Sequence, residues 1–322
     1  MDLTKMLEKC HRGQWKVGDL DWSGTPRPMS EDDERAVVQY FTDMAGIERL
    51  AGALFAEQEK QAEEPVLREI FASFVTDEIR HSHAAQMLAD YYNVHRFKVY
   101  QPNPALVKFT PHFVDAIKYL SPDVANAYIT AGELILDVAL LRSLNDHVGD
   151  AMSHQAMELI NRDESRHIAV DFHMVEYYSS KEYAEKLKRA SAPTIAERAR
   201  ATWVFGNVLY YAAPFFRDVF FEPMRRVDPS GRRLKEAFKR MQLIASRPTD
   251  RESPLMAAML TLQDLYNDHP VARAIAGPAI ERIMGIDGSV IMRLYTEAEK
   301  QHAQRMSFDE LAEDALAAKY AN

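Results

Sequence analysis

The sequence is poor in cysteine and in glycine, and each shortage excludes a class of protein. The single cysteine, Cys10, cannot form an internal disulfide bond, and the first ten residues contain no apolar signal segment. We therefore expect a cytoplasmic protein. Only 12 glycines occur in 322 residues, which argues against a fold built from many tight β-hairpins. A mostly helical protein is predicted instead.

The sequence also lacks a basic excess and a long hydrophobic run. Its 39 Lys and Arg residues are outnumbered by 48 Asp and Glu residues, which gives a formal net charge of −9. This balance disfavours nucleic acid as the main partner, because phosphate backbones are bound by basic surfaces. The uncharged stretch 201–216 is shorter than the roughly 20 residues that a membrane-spanning helix needs. We therefore expect no nucleic acid partner and no membrane span.

Four long helices are predicted in the first half of the chain, from their caps and from apolar residues at helical spacing. Ser30, followed by four acidic residues, marks the start of the first helix. Pro65 suits the first turn of the second helix, and Ser121 followed by Pro122 begins the third. The fourth is expected from about residue 150 to residue 178.

These four helices would form two hairpins joined by a connection with several prolines, 93–110. Two such pairs describe an all-α fold, a four-helix bundle with one long crossover, over residues 31–178. The helical signals beyond residue 180 are shorter, so 181–322 is predicted to add accessory helices. We expect the whole chain, 1–322, to form one domain, because its length suits a single large core.

A pentapeptide of the pattern Asp-Glu-x-Arg-His occurs twice, at 77–81 and at 163–167. Each copy lies on the second helix of a predicted hairpin, where a Glu and a His three residues apart share one helical face. The preceding helix of each hairpin carries another Glu about thirty residues upstream, at Glu48 and at Glu133. Hairpins of this length bring those residues to the level of the pentapeptides, so both hairpins are predicted to point acids and an imidazole at one site.

The bare Glu-x-x-His pattern carries little information, because random placement of the Glu and His residues predicts about 0.85 copies. The sequence has three copies, and the third, at 299–302, has no flanking Asp or Arg and no Glu about thirty residues upstream. We expect that copy to be an exposed pair. Requiring the flanking Asp and Arg lowers the chance expectation to roughly 0.005 for one copy. The two complete copies are therefore a signal.

The residue types of this constellation predict a metal site. Four Glu and two His supply mostly hard oxygen ligands with two imidazoles, a set that suits iron or manganese. Four carboxylates also neutralise two divalent ions. Without metal, four acids in a bundle core would repel one another and lose their hydration, so a purely structural cluster is disfavoured.

With these motifs the sequence resembles the ferritin-like, carboxylate-bridged di-iron proteins whose motifs read Asp-Glu-x-Arg-His. That group includes soluble bacterial multicomponent monooxygenases, acyl-carrier-protein desaturases and the para-aminobenzoate N-oxygenase family, and the last is closest in ligand spacing. The resemblance covers residues 31–178. It implies that the predicted bundle has the ferritin-like arrangement.

The resemblance also implies a ligand set. Glu48, Glu78 and His81 would hold one iron ion. Glu133, Glu164 and His167 would hold the other, with Glu78 and Glu164 as bridging carboxylates. Either two iron ions or a mixed manganese–iron pair is compatible with this set.

Four flanking residues would support these ligands in such a protein. The resemblance implies that Asp77 orients His167 and that Asp163 orients His81, across a pseudo-twofold axis. Arg80 and Arg166 would hold the two Asp residues. The alternative is that these four residues form salt bridges on helix surfaces.

The sequence departs from the patterns of several di-iron families near the predicted ligands. Ala85 stands where the radical-generating subunit of ribonucleotide reductase has a Tyr, which disfavours that function. Ile160 stands where the N-oxygenase family has an additional His, so N-oxygenation stays open. Leu136 and Asp137 stand where monooxygenases and desaturases have a Thr near the third Glu ligand.

Four residues near the ligands are candidates for a substrate pocket. Asp137 is one turn from Glu133 and is interpreted as a supporting acid, an additional ligand, an anchor for a substrate amine or a plain salt-bridge partner. Ala45, Gly52 and Phe55 lie on the face of Glu48, where small residues would leave space for substrate. Ordinary bundle core is the alternative for these three.

The resulting functional hypothesis is an O2-dependent di-iron monooxygenase that oxidises a small organic substrate by N-oxygenation or C–H hydroxylation. The alternatives are an oxidase similar to acyl-carrier-protein desaturases, acting on a carrier-bound chain, and a ferroxidase or iron-storage protein. No flavin or nicotinamide fingerprint occurs, so electrons would come from an external reductase or ferredoxin. We expect a homodimer. The basic stretch 225–240 either docks an acidic partner or is a solvated face.

Overall fold

A computed structural model describes residues 1–97, 101–189, 193–247, 254–284 and 287–320, and within these ranges every regular element is a helix. The prediction of an all-α protein is therefore confirmed. The helices are, in chain order, α1 (Leu3–Arg12), α2 (Glu31–Gln61), α3 (Pro65–Tyr92), α4 (Pro104–Tyr119), α5 (Pro122–Glu133), α6 (Arg142–Val148), α7 (Ala151–Tyr178), α8 (Lys181–Arg189), α9 (Ile195–Phe215), α10 (Glu222–Val227), α11 (Arg232–Ala245), α12 (Pro254–Asp268), α13 (Pro270–Met284), α14 (Gly288–Ile291), α15 (Glu297–Ala303) and α16 (Phe308–Tyr320).

The boundaries of the long helices follow from their capping residues. The Ser30 side chain accepts a hydrogen bond from the backbone N–H of Asp33 (3.1 Å), and the four acids of the first turn of α2 favour the helix N-terminus. Pro65 begins α3, where a missing N–H costs nothing. The Asp150 side chain caps α7 by accepting from the N–H of Met152 (2.8 Å). The predicted starts of these three helices are confirmed.

The third long helix is not α-helical throughout. Between α5 and α6 the segment Leu134–Leu141 is a π-helix, and the three pieces form one continuous helix, Pro122–Val148. All eight residues of the π-helical segment are buried. A π-helix closes its hydrogen bonds over five residues instead of four, so side chains after Glu133 leave the register that an α-helix would give them.

The predicted connection 93–110 is wrong over its second half, because α4 already begins at Pro104. The prolines that suggested an irregular stretch are compatible with a helix here. Pro104 occupies the first turn, and the Asn103 side chain caps the helix by accepting from the N–H of Ala105 (2.9 Å).

The long helices pack so that some of their polar residues face the interior. Helix α2 packs closely against α3, and α5 packs against α7. Helices α4 and α9 form a further pair, while α11 and α16 cover the π-helical segment. The polar residues that the first four long helices turn inward are therefore enclosed by helices on several sides.

One helical stretch, Pro122–Val148, has the length and apolar composition of a membrane-spanning helix by those two measures alone. Within the structure, 72% of its most apolar window is buried. A buried core helix passes the same test, so this stretch is weak support for a membrane span.

Candidate metal centre

Six acidic and imidazole side chains from four helical segments meet in the interior. They are Glu48 on α2, Glu78 and His81 on α3, Glu133 at the end of α5, and Glu164 and His167 on α7. All six are buried, and Glu133, at 4% exposure, is the most accessible. The two hairpins thus bring together every residue that the sequence singled out as a ligand.

The ligand atoms of these residues form two overlapping groups, each with members within 4.8 Å of one another. The groups are Glu48, Glu78, His81 and Glu164, and Glu78, Glu133, Glu164 and His167. Glu78 and Glu164 belong to both groups. Two ions placed in these groups would share two carboxylates.

Each imidazole turns one nitrogen towards the carboxylates and the other outward. His81 Nδ1 lies 3.0 Å from Glu164 Oε1. His167 Nδ1 lies 3.0 Å from Glu164 Oε2 and 3.1 Å from Glu78 Oε1. The Nδ1 atoms are therefore the nitrogens placed to bind a metal ion.

The outward nitrogens meet the Asp residues of the opposite motif. His81 Nε2 lies 3.2 Å from Asp163 Oδ2, and His167 Nε2 lies 3.5 Å from Asp77 Oδ2. In a neutral imidazole, an acceptor at Nε2 places the single ring proton there and leaves Nδ1 with a free electron pair.

Two arginines link these acids to one another. Arg80 pairs with Asp77 and, at 3.0 Å, with Asp163. Arg166 pairs with Asp77 at 3.0 Å and with Asp163 at 2.8 Å. Both guanidinium groups are about nine-tenths buried, so these contacts form an internal ring rather than salt bridges on a helix surface.

The segment after α1 covers this ring, which the sequence patterns did not indicate. Trp15 Nε1 donates to Asp163 Oδ2 (2.7 Å), and Gln14 Nε2 donates to Asp77 Oδ1 (3.2 Å). Arg80 Nη1 in turn donates to Gln14 Oε1 (2.7 Å). One short segment thus supplies one donor to each of the two acids that orient the imidazoles.

Replacing Trp15 tests whether this cover supports the centre. Trp15→Phe keeps an aromatic side chain but removes the indole N–H, so Asp163 loses a donor and holds His81 less firmly. We expect about 10- to 100-fold weaker binding of Fe(II) or Mn(II), measured by competition with a chromophoric chelator. Trp203→Phe is the matched control, because Trp203 is 74% exposed on α9. Equal affinities of the two variants would contradict a supporting role for Trp15.

The six buried groups have strongly shifted acidities. Burial, together with the nearby Glu164, raises the pKa of Glu48 to about 7. Burial and neighbouring carboxylates also raise the pKa of Glu78 and the pKa of Glu133 well above the ordinary value. Burial raises the pKa of Glu164 as well, but the two imidazolium groups outweigh it and hold that pKa below the ordinary value.

The imidazoles shift towards the protonated form. Burial lowers the pKa of His81, but hydrogen bonds to Asp163 and Glu164 outweigh it and raise this pKa to about 10. Burial also lowers the pKa of His167, but interactions with Glu164 and Asp77 outweigh it and raise this pKa to about 9. Without metal, the centre therefore holds protons where it would otherwise hold cations.

Asp171 is a further buried acid beside the centre, and it was not among the candidate residues that the sequence motifs indicated. It lies one helical turn after His167 on α7, and neither carboxylate oxygen accepts a hydrogen bond from the described residues. Burial raises its pKa well above the ordinary value, and Glu164 contributes. The spacing of four residues from His167 was the signal that would have found it. Asp171 belongs to neither of the two ligand groups.

None of the four predicted pocket residues lines the apolar cavity beside Glu133. A Cβ at Gly52 would lie 3.1 Å from Glu78 Cβ, so this glycine allows α2 and α3 to approach closely and its space is taken by Glu78. Phe55 packs against His167 with ring centroids 5.0 Å apart, and Ala45 is buried core. Asp137 is fully buried within the π-helical segment and belongs to neither ligand group.

A cavity of about 290 Å³ lies between α2, α4, α5, α9 and α11. Its lining is almost entirely apolar, and Glu133 forms part of its wall. The cavity therefore reaches one of the six residues of the centre from the side of α5.

The basic stretch 225–240 is largely paired with acids of the same chain. Arg226 lies 2.7 Å from Asp33 on α2, and Arg233 lies 2.5 Å from Asp146 on α6. The other cationic side chains of this stretch in ion pairs are Arg225, Lys239 and Arg240. Of the pairs in this stretch, Arg226–Asp33 and Arg233–Asp146 join α10 and α11 to α2 and α6. Lys239–Glu299 and Arg240–Asp314 join α11 to α15 and α16.

The chain matches no protein-family model and no curated protein.

Proposed function

We propose that this protein is a ferritin-like di-iron oxygenase that activates O2 to oxidise a small organic substrate. One observation carries the proposal. Two groups of buried Glu and His side chains overlap in two shared carboxylates, Glu78 and Glu164, inside a set of long helices. A pair of ions bridged by carboxylates fits this arrangement, which a single structural ion does not require.

The residues present fit two divalent ions. Four carboxylates balance the four positive charges, and oxygen with imidazole donors suits iron or manganese better than metals that prefer thiolate. Both oxygens of Glu48 are fully buried and, apart from the neighbouring carboxyl of Glu78, receive no hydrogen bond from the described residues. Burying such a carboxylate without a partner destabilises the folded protein, and a bound cation would remove this unfavourable free energy.

In this proposal Glu48 and His81 would hold one ion, Glu133 and His167 the other, and Glu78 and Glu164 both. When bound, a pair of ferrous ions supplies the electrons that reduce O2. The chain's own contribution is positional. Asp163 and Asp77 keep the Nε2 protons of the two imidazoles in place, and the enclosing helices exclude bulk water.

The cavity beside Glu133 supports an oxygenase over a ferroxidase or storage protein, because a substrate other than iron needs space next to the centre. Monooxygenation is the leading reaction, with desaturation of a carrier-bound chain as the alternative. An external reductase or ferredoxin would supply electrons for repeated turnover, and we expect a homodimer.

The proposal is tested by a single exposure to O2. Protein loaded anaerobically with Fe(II) is expected to bind about two ions per chain and to consume about one O2 per ion pair. Zn²⁺-loaded protein is the control, because zinc has no accessible redox change and should consume no O2. Particle mass by size-exclusion chromatography with light scattering completes the test. A hollow shell of many subunits that mineralises many irons per chain would overturn the oxygenase and establish storage.

A further inference from the structure

The lining of the cavity next to Glu133 favours apolar ligands over charged ones. Aromatic side chains such as Phe109, Phe215 and Phe220 form much of its wall, together with aliphatic residues of α2 and α11. Among its described lining residues Glu133 is the sole carboxylate, and there is no Lys, Arg or His. A molecule in this cavity would thus leave water for an apolar surface without a cationic partner.

We propose that this cavity binds an uncharged, apolar substrate, or the hydrocarbon part of one, with its reacting carbon at the Glu133 end. This inference rests on the proposed function and narrows it to C–H oxidation. An anionic substrate such as an aminobenzoate would lose the hydration of its carboxylate without gaining an opposite charge. A hydrocarbon has no charged group to dehydrate, and burial of its apolar surface makes the free energy of its transfer into the cavity favourable.

Gly132 determines how much of the cavity is open beside Glu133. It lines the cavity from α5, and a Cβ added to it would meet no atom within 4 Å. A larger side chain at this position therefore has space to enter the cavity without displacing the helix. The absence of a side chain at Gly132 is what leaves room for the substrate next to the ligand.

Gly206 offers a matched control for a substitution at Gly132. It is also a helical glycine with nothing within 4 Å of an added Cβ, but it is exposed on α9 and does not line the cavity. Replacing either glycine by Leu changes helix propensity equally, since both are within helices. The difference between the two variants then reports the cavity alone.

The test measures binding of the apolar fluorophore N-phenyl-1-naphthylamine to the full-length protein, with and without Zn²⁺. Neutral ethylbenzene and naphthalene are expected to displace the probe, whereas benzoate and para-aminobenzoate are not. Gly132→Leu should weaken probe binding about tenfold or more, and Gly206→Leu should leave it within about twofold. Ala212→Leu, which narrows the same cavity from α9, gives a second reading if Gly132→Leu does not fold.

Two results would overturn the inference. One is equal displacement by para-aminobenzoate and by ethylbenzene, and the other is unchanged probe binding in the cavity variants that fold. Because the probe assay needs neither iron nor O2, its failure is distinguishable from failure of the proposed function. If the protein binds the probe as expected but takes up no pair of metal ions, the inference about the cavity stands and the proposed oxygenase function is contradicted.

Discussion

Binding of two divalent ions to the metal-free protein at pH 7 is expected to release at least about two protons per chain. Without metal, His81 and His167 are protonated, because their pKa values are about 10 and about 9. Glu78 and Glu133 are also shifted towards the protonated form, since burial and neighbouring acids raise the pKa of each. Glu164 is ionised, because its pKa lies below the ordinary value, whereas Glu48, with a pKa of about 7, is partly protonated. Two divalent ions would displace the protons of both imidazoles and those that the acids still hold.

The number of released protons is measurable by calorimetry. Titrations with Mn(II) in buffers of different ionisation enthalpy give the proton count from the slope of the observed enthalpy. The apparent affinity for each ion should rise at least about tenfold per pH unit near neutrality, because at least one proton leaves per ion. Release of one proton or none would contradict the protonated state of the metal-free centre, and with it the close approach of these acids.

The same pKa shifts predict how stability depends on pH. A buried Glu with a raised pKa favours the folded protein in its neutral form, so that contribution is lost as pH rises through the folded pKa, about 7 for Glu48. A His with a raised pKa likewise contributes below its unfolded pKa and loses that contribution as pH rises through about 9 or 10. The metal-free protein should therefore become less stable from pH 5 to pH 9. The gap in melting temperature between metal-loaded and metal-free protein should widen over that range.

The features that the sequence predicted well are those governed by local periodicity. The starts of α2, α3 and α7 follow from Ser30, Pro65 and Asp150, and the spacing of three within each pentapeptide follows from helical geometry. The meeting of both pentapeptides with Glu48 and Glu133 required only two hairpins of equal length. Each of these inferences uses contacts between residues in one helix or in neighbouring helices.

The features that the sequence did not predict depend on long-range packing or on a change of register. Trp15 and Asp163 are 148 residues apart, and no periodicity connects the segment after α1 to α7. The π-helical segment moved Asp137 out of the position that an α-helical turn from Glu133 would give it. The open space at Gly132 likewise depends on how α4, α9 and α11 pack around α5. A pattern that considers one helix at a time therefore could not indicate this cavity.

Loss of a shared carboxylate is expected to remove both ions, whereas loss of an unshared one should remove only one. Glu164 belongs to both ligand groups, so Glu164→Ala deprives each ion of a ligand and leaves two imidazoles without their common partner. Glu48 belongs to one group only, so Glu48→Ala leaves Glu78, Glu133, Glu164 and His167 intact. We expect well under one ion per chain in the first variant and about one in the second.

Metal analysis after desalting, combined with O2 uptake by the Fe(II)-loaded protein, measures both effects. Both variants should lose the O2 uptake that depends on an ion pair, so the difference between them lies in stoichiometry alone. Glu158→Ala is the matched control on α7, because Glu158 is exposed and six residues before Glu164; it should keep two ions and full O2 uptake. Equal stoichiometry in Glu164→Ala and Glu48→Ala would contradict the shared arrangement. Two independent ions, each with its own carboxylates, would then replace a bridged pair, and the proposed joint action of two ions on one O2 molecule would lose its support.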